Sequence, residues 1–435
     1  MKVSKFGGTS LADADQIRKV LAIIQSDPER KIIVVSAPGK RSSEDQKITD
    51  LLYEWHRLRE LRLSSDEIRP IVQDRFAKII LDLGIKFDLE VEMTEISQRI
   101  AEGATVDYAA SRGEYLIGKI VAVALGYKFV DPATYIRFDR WGRYEKSEGH
   151  IRLALPLRGM RVVIPGFYGS MPDGSIKTFS RGGSDITGAI VAAAIGAEIY
   201  ENWTDVSGLL MVDPRVVENP KKIKTVTYRE MRELAYMGAN VFHEEAMFPV
   251  QDAKIATSIR NTNDPEDDGT CIVVGGEVLE NKDIITGIAG RKDFTVIRIE
   301  KKMMNQEVGF ARKILSILES EGISFEHMPS GIDTLSVIID ERQLGQKLDG
   351  VLNGIWEICL PDGVVVDNKI AMIAVVGREM AYTPGVAARV FTALAEEGIN
   401  VRMINQGSSE ISIIIGVKND DYEGAIRAIY RAFVK

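Results

Sequence analysis

Cysteine is nearly absent from this chain: two residues in 435, Cys271 and Cys359, stand far apart. Such a pair forms neither a metal-ligand spacing nor a disulfide framework, which points to a reducing, cytoplasmic setting and to two core thiols. Histidine is as scarce, with His56, His150, His243 and His327 scattered too widely for a zinc-type site. No apolar run is long enough to predict a membrane span, and no apolar stretch behind a basic patch predicts a signal peptide. A basic surplus is also missing, since the net charge is −8, and this speaks against general nucleic-acid binding. What remains is ordinary for a globular protein: 45% hydrophobic and 27% charged residues, in a chain long enough for two or three domains.

From residue 1 to about 290, short apolar runs alternate with helical patterns. Lys31-Ile32-Ile33-Val34-Val35-Ser36, Lys128-Phe129-Val130, Arg161 to Gly166 and Ala197 to Tyr200 read as buried strands. Continuous apolar strands between helices predict an α/β fold with a mainly parallel sheet covered on both faces. Residues 45 to 103 carry almost no strand signal and read as a helical excursion, with Arg57, Arg59, Glu60 and Arg62 on solvated faces.

A different pattern begins near Phe294. Thr295–Ile299 reads as a strand, Glu307–Glu321 as a helix closed by Gly322, and Ile323–Glu326 and Thr334–Ile339 as further strands. About 75 residues later the order returns. Ile370–Val376 is a strand, Gly385–Glu397 a helix closed by Gly398, Ile399–Arg402 and Glu410–Val417 are strands, and Asp421–Phe433 is a helix. Each βαββα unit has the layout of a ferredoxin-like sandwich, although no final strand follows Tyr430.

The chemistry concentrates in four short stretches. Lys5-Phe6-Gly7-Gly8-Thr9-Ser10 follows the first strand and opens a helix, so glycine amides, a helix N-terminus and a lysine converge where an anion could bind. It fits neither a Walker A loop nor a dinucleotide fingerprint. Ser111-Arg112-Gly113-Glu114 comes next, then Phe179-Ser180-Arg181-Gly182-Gly183-Ser184-Asp185, a second glycine pair at a helix start. Trp203-Thr204-Asp205-Val206-Ser207-Gly208 and Asp213-Pro214-Arg215 complete the set. Plainer roles stay open to single members: Asp185 as a helix cap, Glu114 as a solvated carboxylate, Asp213-Pro214 as a turn.

In this order the stretches resemble the aspartate kinases of the amino-acid-kinase superfamily, over nearly the whole chain. The resemblance implies a three-layer αβα kinase domain over 1–290, followed by two ferredoxin-like ACT regulatory modules at 294–368 and 369–435. It implies transfer of the γ-phosphoryl group of ATP, with Mg²⁺, to the side-chain carboxylate of L-aspartate. The product is 4-phospho-L-aspartate, at the entry to lysine, threonine and methionine synthesis. Lys5 and Asp185 would be catalytic, with the Gly7 and Gly8 amides assisting at the phosphates. Arg181 would meet the α-carboxylate of aspartate and Glu114 its α-ammonium, while Thr9, Ser36 and Ser184 supply hydroxyls. Thr204, Asp205 and Arg215 would hold the nucleotide. The residue types suit the reaction: the acceptor carboxylate is already ionised, so the work is alignment and charge neutralisation, with no general base.

The chain departs from the family pattern at Asn240, where a lysine near the nucleotide is usual, with Lys40 or Lys254 as substitutes. Its Ala37-Pro38-Gly39-Lys40-Arg41 loop is more basic than usual, and Leu210 stands in place of an aromatic. The ACT resemblance implies feedback by a small amino acid, lysine or threonine, at Met304, Glu307, Phe310, Ser324, Phe325 and Glu326. The acidic pair Glu307 and Glu326 would suit lysine. Paired ACT sheets imply a homodimer or tetramer. Two rivals stand beside this reading: a nucleotide-binding sensor without turnover, and the same enzyme acting on another acidic amino acid.

Overall fold

The apolar run at Lys31 is a buried strand, and it lies in the middle of a sheet. The computed structural model describes residues 1–64, 67–145, 157, 159–180, 182–239, 242, 244–275 and 283–434. Two compact units form, the first from 1–209, 222–231 and 240–281, the second from 210–221, 232–239 and 282–435.

The first twelve strands are β1 (Lys2–Phe6), β2 (Arg30–Val35), β3 (Lys128–Phe129), β4 (Val162–Pro165), β5 (Tyr168–Ser170), β6 (Ile176–Thr178), β7 (Ile199–Thr204), β8 (Leu209–Leu210), β9 (Lys222–Ile223), β10 (Thr225–Thr227), β11 (Ala256–Asn261) and β12 (Thr270–Val273), all in the first unit but β8, which falls on its boundary. Eight build the main sheet in the order β10-β12-β11-β7-β1-β2-β4-β3, parallel except for the β11–β12 pair. β1 is flanked by β2 and β7, so the chain leaves it in both directions across the sheet, and ligands gather at the carboxyl ends of strands beside such a point.

Five helices follow the first strand: α1 (Ala14–Gln25), α2 (Ile48–Glu60), α3 (Ile68–Leu83), α4 (Leu89–Glu102) and α5 (Val106–Leu125). Asp13, Asp88 and Thr105 cap the starts of α1, α4 and α5, and Gly84, Gly103 and Gly126 close α3, α4 and α5 in the left-handed region. Apolar residues of all five pack with Phe6, Ile33, Val35 and Trp203 in one core. The predicted excursion is thus helical, and most of its charges are solvated. Arg75 is not, being 6% exposed.

β7 runs four residues beyond the apolar stretch that announced it, to Thr204. Glu201 is buried there because Arg30 grips it with two bonds of 2.8 and 3.1 Å, and Ser4 and the Trp203 indole donate to it at 2.8 and 3.0 Å. Burial pushes this carboxyl up, but the Arg30 hydrogen bond and charge, with Trp203 and Ser4, bring it below the ordinary range.

In the second unit the strands are β13 (Gly287–Glu300), β14 (Thr334–Asp340), β15 (Gly363–Val376), β16 (Met403–Gln406) and β17 (Ser412–Lys418), in the antiparallel order β14-β13-β15-β17-β16. β13 and β15 each serve both repeats. Phe294–Glu300 pairs with β14 and with Gly363–Ile370, whereas Gly287–Arg291 pairs with Met372–Val376 beside β17. The strand missing from the end of the second repeat is therefore supplied by residues that precede the first, and the expected break between 290 and 294 falls inside one strand. Two short strands also differ from expectation. Ile323–Glu326 makes no ladder, the bridges starting at His327, and β16 begins at Met403. The amides of Ile323 and Ile399 instead donate back to Leu318 and Leu394, closing the preceding helices behind Gly322 and Gly398. Among the described residues no helix is long and apolar enough to cross a membrane.

Truncating Glu201 to alanine leaves the Arg30 charge buried without its counter-charge, and urea unfolding should show a loss of about 3–5 kcal/mol. Because the Glu201 carboxyl lies below its unfolded value, its contribution is complete above the ordinary carboxylate range. It disappears as pH falls through the folded value, so the gap between wild type and Glu201→Ala should narrow in acid.

Candidate active site

The carboxyl ends of β1, β2 and β7 and the first turn of a further helix, α6 (Gly183–Ile195), surround a cavity of about 1010 Å³. Its wall contains Lys5, Gly7, Gly8, Thr9, Ser36, Glu114, Ser184, Asp185, Thr204 and Asp205, drawn from stretches up to two hundred residues apart. Lys40 is in the same wall. Arg181 and Asn240 lie outside the described residues. Arg215 belongs to the second unit, where its guanidinium closes on Asp213 at 2.6 to 3.1 Å.

Lys5 emerges from β1 with its side chain only 8% exposed, and its Nζ lies 2.6 Å from Asp185 Oδ1. Asp185 sits in the first turn of α6, where its charge also matches the helix dipole. Its side chain is committed to Lys5, so the plain capping role does not apply; the residue before the helix, Gly182, makes no side-chain cap. Asn202, opposite Lys5 in the parallel register, joins the pair: its Nδ2 donates to Asp185 Oδ1 at 3.0 Å and its Oδ1 accepts from Lys5 at 3.4 Å.

The first glycine pair has a different local cause from the one expected. The Gly7 amide donates to the Trp203 carbonyl at 2.9 Å, so it is not turned toward a phosphate. Gly8 is needed because another backbone presses on it. A Cβ there would lie 2.8 Å from the Ala37 oxygen, and one on Gly39 would lie 2.7 Å from the Gly8 carbonyl carbon. Gly39 N donates to Gly8 O at 2.7 Å, locking the two loops together. In the same manner a Cβ at Gly113 would meet the Ala37 methyl at 2.7 Å, so this glycine lets α5 slide Glu114 under the loop.

Glu114 is buried, and its Oε2 has no hydrogen-bond partner. Burial pushes its carboxyl up to about 8, opposed by the Ala37 amide that donates to it. A solvated surface carboxylate is thereby ruled out. Glu114 lines the cavity, and a buried acceptor of this kind calls for a hydrogen-bond donor.

With this geometry in view, the comparisons with known proteins are direct. The model of the Amino acid kinase family matches residues 1–261, and an ACT domain model matches 373–433. Aspartokinase 3 of Bacillus subtilis is 40% identical over 450 aligned positions that span 100% of this chain and 98% of that protein. The chain belongs to the aspartokinases. The aspartate kinase of Clostridium acetobutylicum superposes with a TM-score of 0.95 at 49% identity, over 100% of both chains. Escherichia coli aspartokinase III, with aspartate and ADP bound in its R-state, superposes at 0.77 with 25% identity, again over both whole chains. The same enzyme with lysine and aspartate in its T-state reaches 0.74 at 26%.

The residues expected to hold an effector in this aspartokinase are mostly occupied otherwise. Met304 and Phe310 are core residues of the second unit, packed with Ile297, Ile314 and Val337. Glu307 lies 2.6 Å from both Lys301 and Lys313, and these cations hold its carboxyl below the usual range. Glu326 bonds Tyr236 and Arg291, and the Ser324 amide donates to Gln343. Phe325 is exposed. The groups that fold against them explain the difference: neither carboxylate is free, so the pair no longer singles out a cationic effector.

Phe167 in the cavity wall, and Asn202 and Arg75 behind it, were not anticipated from the chain. Asn202 sits in a strand and reads as the polar stretch after one. Phe167 holds a left-handed backbone, φ 81°, at the cavity wall, a strained state that clusters at functional sites. Arg75, on α3, reaches the Ala37–Lys47 loop, lying 2.9 Å from Asp45 and donating to the carbonyls of Gly39 and, at 3.4 Å, Ala12. Gly39→Ala forces the two loops apart, and urea unfolding should show a loss of about 1–3 kcal/mol together with a raised KM for the substrates bound beneath them.

Proposed function

We propose that this aspartokinase transfers the γ-phosphoryl group of ATP to the side-chain carboxylate of L-aspartate, giving 4-phospho-L-aspartate for lysine, threonine and methionine synthesis. The observation that supports it best is one cavity holding both a buried lysine at a glycine turn and a buried glutamate with one oxygen lacking a partner. The acceptor is a nucleophile as it stands, so the protein needs to hold two anions together and neutralise the charge that builds between them. Lys5 does this at the transferring phosphoryl group, with the Gly8 amide beside it. Glu114 takes the α-ammonium and Arg181 the α-carboxylate of aspartate, a charge pair that reads an amino acid as such. Thr9, Ser36 and Ser184 contact the substrate, Thr204 and Asp205 the nucleotide. Arg215 is the remaining candidate for the nucleotide phosphates.

Mg²⁺ fits this wall as a companion of the nucleotide. Among the described residues no three acidic, histidine or cysteine side chains converge, and Mg²⁺ in such sites is held largely by phosphates and water. Asp205 would be its protein contact, and when bound the ion screens the phosphate charge. Regulation is proposed through the second unit, by lysine, as the lysine-bound T-state of the Escherichia coli enzyme supports. Threonine is the alternative effector. The assembly is a homodimer or tetramer through the ACT modules of a cytoplasmic enzyme.

The test is ATP turnover with L-aspartate, trapping the acyl phosphate with hydroxylamine, with and without lysine or threonine. Hydroxamate formed with aspartate and suppressed by lysine is expected; nucleotide binding without hydroxamate would sink the kinase reading. Lys5→Ala should lower kcat by about 10²–10³-fold, the scale for losing one charge-stabilising donor. Glu114 binds an ammonium only when ionised, so kcat/KM for aspartate should rise with pH up to about 8, and Glu114→Gln should lose that limb.

A further inference from the structure

We propose that Asn202 is a positioning residue that sets the Lys5 ammonium for phosphoryl transfer, an inference that rests on the kinase reading above. Asparagine is disfavoured in strand interiors, and Asn202 is 2% exposed in the middle of β7. Burying an amide there costs free energy unless both its ends are bonded. Both are: the oxygen faces the Lys5 ammonium and the NH₂ faces the Asp185 carboxylate. The reverse orientation would set NH₂ against ammonium and oxygen against carboxylate, so charge alone fixes it. Among side chains of this size only a primary amide keeps a donor and an acceptor at this spacing without titrating.

The arrangement answers a problem that the ion pair creates. With Asp185 2.6 Å away, Lys5 is drawn toward a single counter-charge on α6. The amide takes a second ammonium hydrogen and gives one to the same carboxylate oxygen, Oδ1, spreading the pair over three groups. Two of the three Lys5 hydrogens are then fixed, and the third is left for the cavity that Lys5 lines. Asn202 is not itself in the cavity wall, so it acts through Lys5 and Asp185.

Among the described residues no other charged side chain bonds to Asn202. β1 presents Lys5 and α6 presents Asp185, while β11 places the apolar Ile259 opposite in register. Tyr200 donates to the Asp185 carbonyl rather than to its side chain. Glu201 is tied to Arg30, and Arg260 lies over the Trp203 ring.

Two variants of the full chain test this, read by hydroxamate kcat and KM across pH 6 to 9 (about the workable range for the assay) and by urea unfolding. Asn202→Asp is nearly isosteric. Protonated, its O–H replaces the amide donor toward Asp185; ionised, it puts two carboxylates on one ammonium. Its kcat should approach wild type at low pH and fall about 10–100-fold below it as pH rises, a loss typical of removing an orienting partner, with KM for aspartate little changed. Asn202→Leu should be low at every pH. If the kcat ratio of Asn202→Asp to wild type stays flat with pH, the positioning role is wrong, whether or not stability changes. If wild type itself forms no hydroxamate, the kinase reading falls and this inference with it, so the two failures are told apart in one assay.

Discussion

A lysine buried at the end of a central strand needs a counter-charge, and much of the first unit is arranged around supplying one without cancelling it. Lys5 is 8% exposed and 2.6 Å from Asp185, so neither charge can be removed alone without stranding the other. The pair joins β1 to the first turn of α6, and Asn202 joins both to β7. The first strand and two segments that follow it by nearly two hundred residues are thereby held to within a hydrogen bond of one point. That point lies at the carboxyl ends of parallel strands, where the sheet switches direction and a ligand can approach.

The loops above this point are shaped by close backbone contact. Gly8 and Gly39 touch through main-chain atoms, Gly113 admits the Ala37 methyl, and Gly7 spends its amide on Trp203. The glycines that look like a phosphate cradle are thus first a packing device, which brings a lysine, hydroxyls and a buried carboxyl into one cavity. Arg75 braces the outer loop through Asp45 and Gly39. Beneath, the Glu201–Arg30 pair occupies the opposite face of the strands that carry Asn202 and Lys5. A polar network below and a functional one above share β1 and β7, which explains why strands so rich in polar residues remain buried.

The second unit shows repetition of another kind. Its two βαββα repeats share a five-stranded sheet through β13 and β15, each long enough to serve both. Capping at Gly322 and Gly398 is the same in both, down to the amides of Ile323 and Ile399 turning back onto the helix. The first repeat is inserted within the second, because Gly287–Arg291 completes the sheet of residues far downstream. His327 and Asn405 meet across them at 3.1 Å.

Legibility followed the range of the interaction. Parallel strands, the helical excursion, the repeat and the ordered motifs are local patterns of apolar spacing and turn residues, and the chain displays them directly. With them came the family and most of the cavity wall: Lys5, Thr9, Ser36, Glu114, Ser184, Asp185, Thr204 and Asp205. What the chain alone could not display is the partner of each charge. Glu201 and Asn202 read as the end of a strand because polarity is taken for exposure, whereas Arg30, Lys5 and Asp185 make burial affordable from elsewhere in the chain. Glu307 and Glu326 read as free because their partners are not marked in the chain: Lys301 and the helical Lys313 close on Glu307, Arg291 and Tyr236 on Glu326. Residue type and local spacing determine which elements form and which chemistry is present. Only the tertiary structure decides which charges are already neutralised, since that depends on distances the sequence does not contain.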